Sequence, residues 1–320
     1  MRPVTWAWVD RARSLLQEQG EGAVQQATPL QAAGEHAERW DTEAMIHHIA
    51  DGRTIELGFG TIDLSALTLP PVHVGPLTID LSITRHVLFL FVASVLTLLT
   101  MWAAAGQARR LEQGERAPGG VLNAAEAFYL YLRDEVAMAT IGPGGERFVP
   151  YVIALFFFIL YANLLGLVPF GATATSNIMV TAGMALISLA VIEWAGLRTL
   201  GPRGYLGTIF YLPKGLPTFM VPIMLLIMTP VELIGKLAKP FALAVRLFAN
   251  MTAGHFVILA LLGLIVTRGS FSHAAGVVAI LGAVALGLFV MFLEIFVAFL
   301  QAYIFAMLTS VFIGLIRHAH

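Results

Sequence analysis

The sequence predicts an all-α polytopic membrane protein. It has upright spanning helices, an interfacial amphipathic helix and a long, strongly tilted C-terminal helical hairpin, behind a small N-terminal extracytoplasmic segment with short β-strands. Three observations predict this. Of 320 residues, 58% are apolar and only 12% charged, about half the charged fraction of an ordinary soluble domain. The uncharged residues gather in runs long enough to cross a bilayer. Residues 1–85, by contrast, carry acids, bases and polar residues in ordinary proportion, so the chain divides into an N-terminal segment, 1–85, and a membrane domain, 86–320.

In the first segment, MRPVTWAWVDRARSLLQ lacks the unbroken apolar core and small-residue cleavage site of a signal peptide, because Asp10, Arg11 and Arg13 interrupt it. Residues 5–18 fit a short amphipathic helix. From Thr54 apolar residues alternate (Ile55, Leu57, Phe59; Ile62, Leu64; Val72, Val74; Leu77, Ile79, Leu81), with breaks at Gly60, Pro70–Pro71 and Pro76. A period of two reads as short strands. TIDLS occurs at 61–65 and again at 78–82, which reads either as coincidence or as a small β-hairpin over the membrane face.

Residues 86–105 contain no Asp, Glu, Lys or Arg and would span about 30 Å as a helix, one bilayer. A charged loop, GQARRLEQGERAPGG, follows. Residues 121–140 set Leu122, Ala125, Phe128, Tyr129 and Leu132 at helical spacing beside Glu126, Arg133, Asp134 and Glu135, the pattern of a helix lying at the interface. Residues 148–168 and 178–197 are two further spans joined by the uncharged turn PFGATATSN. RTLGPRGYLGTIFYLPKGLP, rich in Gly, Pro and bases, reads as a loop.

Two long apolar tracts follow, 217–267 and 275–316. A 40-residue helix is about 60 Å long, twice the hydrocarbon thickness, so each tract must be broken or strongly tilted. Pro217, Pro222, Pro230 and Pro240 allow kinks in the first; the second has no proline and reads as one continuous tilted helix. Arg109, Arg110 and Arg116 follow the first span and Arg198, Arg203 and Lys214 the third, while the 169–177 turn carries no base. The positive-inside rule then puts these basic loops and the C-terminus in the cytoplasm and residues 1–85 outside.

Composition excludes several function classes. A net charge of −1 gives no basic surface for nucleic acid. With no Cys there is no disulfide framework, thiolate metal site or cysteine nucleophile. His36, His47 and His48 alone make a weak case for a metal, and no metal or cofactor is expected. HExxH and GxSxG are absent, and Ser188 and Ser310 have no base nearby in sequence, which argues against an intramembrane hydrolase. A stand-alone secondary transporter or channel with a midplane polar site stays open as an alternative, although the two halves show no inverted repeat.

Chemistry in such a chain is marked by ionisable residues inside apolar spans, which are costly there. Glu232, Lys236, Lys239, Arg246, His255 and Glu294 are the cases, with polar Asn250 and Gln301. Lys236 and Lys239, beside a proline-marked boundary, read as snorkelling to headgroups, and Glu193, near the end of its span, as facing them. Arg246 is too far from either end of its tract for that. Asn250, four residues on, shares its face, and Glu232, fourteen before it, lies within about 40° of that face. His255 points to roughly the opposite side. Glu294 and Gln301, seven apart, share a face of the last tract.

ELIGKLAKPFALAVRLFANMTAGH (232–255) resembles the signature of the membrane-embedded a subunit of F-type ATP synthases, and NLLGLVPF…TSNIMVTAGMAL (163–186) matches that family's earlier block. The similarity covers about 86–320; residues 1–60 carry none of its motifs. The resemblance implies a proton-translocating stator subunit, not itself an enzyme, in the membrane (Fo) sector of a rotary ATP synthase. It would be multi-pass in a bacterial inner membrane, with c-ring subunits, peripheral-stalk b subunits and the remaining synthase subunits as partners. It also implies roles. Arg246 takes the place of the family arginine that faces the c-ring, and Asn250 that of the asparagine one turn on. His255 and Glu294 fall where the family keeps an ionisable pair, and Gln301 where it has a polar channel residue. Glu232 matches the acid of the cytoplasmic exit path. Asn177 matches a polar turn position near the opposite path, where some members have an acid.

Overall fold

Charge-free sequence becomes helix because, away from water, every backbone N–H and C=O must be satisfied within its own segment. In the computed structural model the described residues are 54–57, 60–64, 72–74, 77–79, 82, 84–112, 121–168, 173–210, 220–268 and 274–318. The helix expected at 5–18, the three histidines at 36, 47 and 48, Pro217 and the loop bases Arg116 and Lys214 lie outside them.

Four short strands come first. β1 (Thr54–Leu57) pairs antiparallel with β2 (Gly60–Asp63), Ile55 opposite Ile62. β3 (Val72–Val74) pairs antiparallel with β4 (Leu77–Ile79), His73 opposite Thr78. The two TIDLS segments therefore fall in separate hairpins and do not pair with each other. The helices follow: α1 (Arg85–Glu112); α2 (Val121–Tyr131), continued by a π-helical stretch, Leu132–Met138, and a last turn, Ala139–Ile141; α3 (Val149–Leu167); α4 (Ile178–Ile209); α5 (Val221–Arg268); and α6 (Ala274–Arg317). Five helices, all but α2, are long and apolar enough to cross a membrane.

The boundaries differ from the sequence reading in three places. α1 runs on through Gly106 into QARRLE, good helix formers that the charge pattern had assigned to a loop. α4 continues twelve residues past 197. Its backbone turns sharply at Gly201 (φ 69°, ψ 172°), just before Pro202, and then resumes as helix; only glycine adopts that conformation without strain. α5 passes unbroken through Pro230 and Pro240. The 48 residues of α5 and the 44 of α6 correspond to about 72 and 66 Å of helix.

The chain divides into two compact units. One joins residues 1–48 with Leu259–Val284, and its described part is two helix ends, 259–268 and 274–284. The other, Ile49–Ile258 with Ala285–His320, holds all the chemistry below. Its core is formed where α3 (Val152, Phe156, Ile159), α4 (Met184, Ile192), α5 (Leu243, Leu247) and α6 (Phe305, Ile313) meet the end of α2 (Leu132, Val136, Ile141). Phe128 and Phe156 both pack on Phe299, with ring centroids 5.6 and 5.5 Å away. Polar groups tie the helices together where lipid gives no hydrophobic drive between them. Thr140 Oγ1 donates to Ser310 Oγ (2.7 Å), Tyr151 and Ser188 share a hydrogen bond (3.0 Å), and Asn163 Nδ2 donates to the Ala298 carbonyl. Arg317 Nη2 donates to the Pro143 carbonyl at 3.1 Å, securing the end of α6.

Candidate functional site

The site is built on the antiparallel stretch of α5 and α6, where Gly254 lies against Glu294 and Lys239 over the ring of Phe312. Pro240, Leu243, Ala244, Leu247 and Met251 face the bundle from α5. Arg246 projects on the other side, exposed, amid exposed Ala242, Val245, Ala249 and Ala253. Among the described residues its guanidinium has no hydrogen bond or ion pair. The small side chains beside it leave that flank of α5 open to a close neighbour.

Two separate cavities open along this same helix. The first, about 210 Å³, is lined by Asn250, Gly254 and Val257 of α5 and by Val290, Glu294 and Val297 of α6. Glu294 is 8% exposed, and neither carboxyl oxygen has a hydrogen-bond partner among the described residues. Gly254 makes its position available: a Cβ there would collide with Oε1 and sit 2.8 Å from Cδ. His255, half-buried next door, shares a hydrogen bond from Nε2 with Thr173 Oγ1. Thr173 opens a buried, hydroxyl-rich turn, Thr173 to Ser176, between α3 and α4. Asn177 ends that turn, its Oδ1 accepting from the Met179 N–H (2.9 Å) as the N-cap of α4. Gln301 is half-buried on α6, two turns beyond Glu294 and away from the cavity lining.

The second cavity, about 140 Å³, lies where α4, α5 and α6 meet and is lined by Ser188, Glu193, Thr208, Glu232, Lys236 and Lys239, with apolar residues of α6 closing it. Here the snorkelling expectation for Lys236 fails. Its Nζ donates to Glu193 Oε2 (3.4 Å) and Thr208 Oγ1 (3.4 Å) and stands 4.7 Å from the ring centre of Tyr205. Tyr205 O–H donates to the same Glu193 oxygen. These partners satisfy the ammonium with charge-assisted contacts inside the bundle. Glu193 correspondingly faces this pair; its expected headgroup contact is replaced. Lys239, exposed, lies over Phe312 at 4.9 Å. Among the described residues no lining residue is common to the two cavities.

The seven residues singled out by sequence are thus not one cluster. Asn250 and Glu294 line one cavity; His255, next to the lining residue Gly254, is bonded to Thr173, whose turn ends at Asn177; Glu232 lies at the other cavity; Arg246 stands on the open flank between their levels. Asn250 departs from the expected partition, since it joins Glu294 while sharing a helix face with Arg246. Sequence reasoning missed Thr173, Gly254, Glu193 and Tyr205. The GH pair at 254–255 and the ionisable Glu193 were the only signals for them. Among the described residues no group of three or more His, Asp and Glu side chains is placed to hold a metal ion.

Residues 87–314 match the family described as ATP synthase A chain. Similar proteins include ATP synthase subunit a of Chloroherpeton thalassium, 42% identical over 271 residues, 84% of this chain and 75% of that protein. The ATP synthase subunit a of Chlorobium phaeobacteroides (strain DSM 266) is 42% identical over 296 residues, 92% of this chain and 81% of that one. That of Anaeromyxobacter dehalogenans is 41% identical over 302 residues, covering 88% and 74%. The chain therefore belongs to the ATP synthase A chain family, an integral membrane subunit of the Fo sector of F-type ATP synthases.

Proposed function

We propose that this subunit is the stator of proton translocation, offering two offset half-channels to the c-ring with Arg246 as the gate between them. Its partners in this reading are the c-ring subunits, the peripheral-stalk b subunits, the remaining synthase subunits and the surrounding lipid. The observation that carries the reading is the position of Arg246: exposed, unpaired among the described residues, and between the levels of two cavities that share no wall. Along α5 it lies fourteen residues, about 21 Å, after Glu232 and eight, about 12 Å, before Gly254.

The chemistry follows. A ring carboxyl must be neutral to face lipid, where a bare charge is costly. Opposite Arg246 it is stabilised as an anion by the adjacent cation. A guanidinium stays protonated at any working pH, so it attracts the carboxylate without taking its proton. Its fixed positive charge also repels protons and blocks a leak between the two paths. His255 and Glu294, with Asn250, Gln301 and Asn177 in support, form the path from outside to the ring; Glu232 serves the path to the cytoplasm. A proton arriving by one must ride the ring for nearly a full turn to leave by the other. In this reading 86–320 is the membrane domain of a bacterial inner-membrane protein, with residues 1–85 outside and the C-terminus in the cytoplasm.

The absence of native cysteine makes a direct test clean. Ala249→Cys, exposed one turn from Arg246, should crosslink to a cysteine placed mid-span on the outer helix of the c subunit, whereas Ala244→Cys, buried, should not. Crosslinking from Ala244→Cys alone would put the ring on the wrong side of α5 and refute the reading.

A further inference from the structure

The second cavity holds two carboxylates and two ammoniums, yet it treats the carboxylates unequally. Glu193 takes everything: the Tyr205 hydroxyl and the Lys236 ammonium both come to its Oε2. Glu232 precedes Lys236 by four residues on α5, the spacing at which Glu and Lys normally pair along a helix. Among the described residues, however, the ion pair Lys236 makes is with Glu193 on α4. α4 holds the ammonium with three groups at once: the carboxylate, the Thr208 hydroxyl and the face of Tyr205.

That grip depends on the bend at Gly201. Glu193 and Tyr205 are twelve residues apart, about 18 Å along a straight helix, further than a phenol and a carboxylate reach. The reversal at Gly201 brings Tyr205 and Thr208 back over Glu193. Among the described residues the other charged group lining the cavity is Lys239, whose ammonium lies over Phe312, and α6 contributes Phe312, Leu315 and Ile316.

We propose that Glu193 is a positioning residue of the proton path: by drawing Lys236 onto α4 it keeps Glu232, one turn away on α5, free of an ion pair and able to take up and release protons. The proposal rests on Glu232 serving the cytoplasmic path. Without the Glu193 charge, Lys236 turns to Glu232 and fixes it as a paired carboxylate, and each proton crossing that point must first break the pair.

The test uses the assembled synthase in membrane vesicles stripped of its soluble sector, with passive proton conduction measured per assembled complex. Glu193→Gln should slow conduction about tenfold, the equivalent of one new ion pair of roughly 1.4 kcal/mol. Adding Lys236→Gln should recover most of the loss, and in a Glu232→Gln background Glu193→Gln should add nothing. Wild-type conduction in Glu193→Gln beside a slow Glu232→Gln overturns this inference alone, as does an equal slowing in both backgrounds. Wild-type conduction in Glu232→Gln removes the exit-path reading and this inference with it. Should Glu193→Gln fail to assemble, the Glu193→Gln/Lys236→Gln pair carries the test. If it assembles but conducts no better than Glu232→Gln, Glu193 is itself a proton carrier and the positioning role is wrong.

Discussion

The cavity at Glu294 and the cavity at Glu232 stand on one stripe of α5, since Asn250 and Glu232 are eighteen residues, five full turns, apart, but they handle their carboxylates in opposite ways. Glu294 is alone: buried, backed by a glycine, with no cation and no hydrogen-bond donor among the described residues. Glu232 shares its cavity with a second acid and two lysines. The difference teaches how one helix would serve two paths in the proposed reading. A solitary carboxyl can be loaded and emptied without breaking a pair, which suits the proposed inlet; a balanced cluster keeps the proposed outlet polar at little net charge, provided the pairing leaves one acid free. Between them a guanidinium is held apart from both, and that separation is the first thing to break.

Arg246→Ala should have the largest effect, lowering ATP-driven proton pumping in inverted vesicles by at least about a hundredfold while the detached soluble sector still hydrolyses ATP. Pumping that survives the change would mean that separation of the two cavities alone isolates the paths. Next, Glu294→Gln should slow passive proton conduction about a hundredfold, the lower end of what a positioned proton-transferring group contributes. His255→Ala should do less, because its Thr173 contact leaves a hydroxyl behind at the same place. Exchanging the two, His255→Glu with Glu294→His, should harm conduction less than either single change, read by the same vesicle assay. A double exchange worse than both singles would show that they do not act together.

The glycine behind Glu294 sharpens the contrast further. Gly254→Ala drives a methyl into the carboxyl, an overpacking that costs about 1–3 kcal/mol unless Glu294 swings away. The expected outcome is a several-fold fall in conduction with the complex still assembled. Gly183→Ala, in open space on α4, should instead leave conduction intact and stabilise the helix by about 0.5–1 kcal/mol. Equal effects from the two would mean that Gly254 matters only as a helix glycine.

How much of this was legible in the sequence follows from where each contact comes from. Spans announce themselves through local composition, and α3, α5 and α6 begin and end within a few residues of their apolar tracts. Arg246 and Glu294 were legible for the same reason, because a charge deep in an apolar run is anomalous wherever its partners are. The Lys236–Glu193 pair was not: its members are 43 residues apart, and they meet only because a glycine inside a segment that read as loop bends the helix back. Nor does sequence show that Gly254 abuts Glu294, forty positions on, since that depends on the register of two antiparallel helices. Within-helix periodicity is written locally; register between helices is set by the packed bundle. The proline rule misled in a related way, because Pro230 and Pro240 sit inside a continuous α5, where neighbouring helices and backbone adjustment absorb the missing N–H groups.

The smallest expected effect belongs to Asn177. Its side chain is committed to a structural contact, accepting from the Met179 N–H at the start of α4, and Asp caps a helix as well as Asn does. Asn177→Asp should therefore leave both thermal stability of the assembled complex and proton conduction within about twofold of wild type. Asn177→Ala should lower stability by about 1 kcal/mol through the lost cap, with conduction falling only in so far as the Thr173–Ser176 turn loosens and carries the His255 contact with it. The two variants together separate cap from channel: a fall in conduction for Asn177→Asp, with stability unchanged, would give the side chain a direct part in the proton path, whereas a stability loss confined to Asn177→Ala makes the turn, and not the amide, the element that serves Glu294.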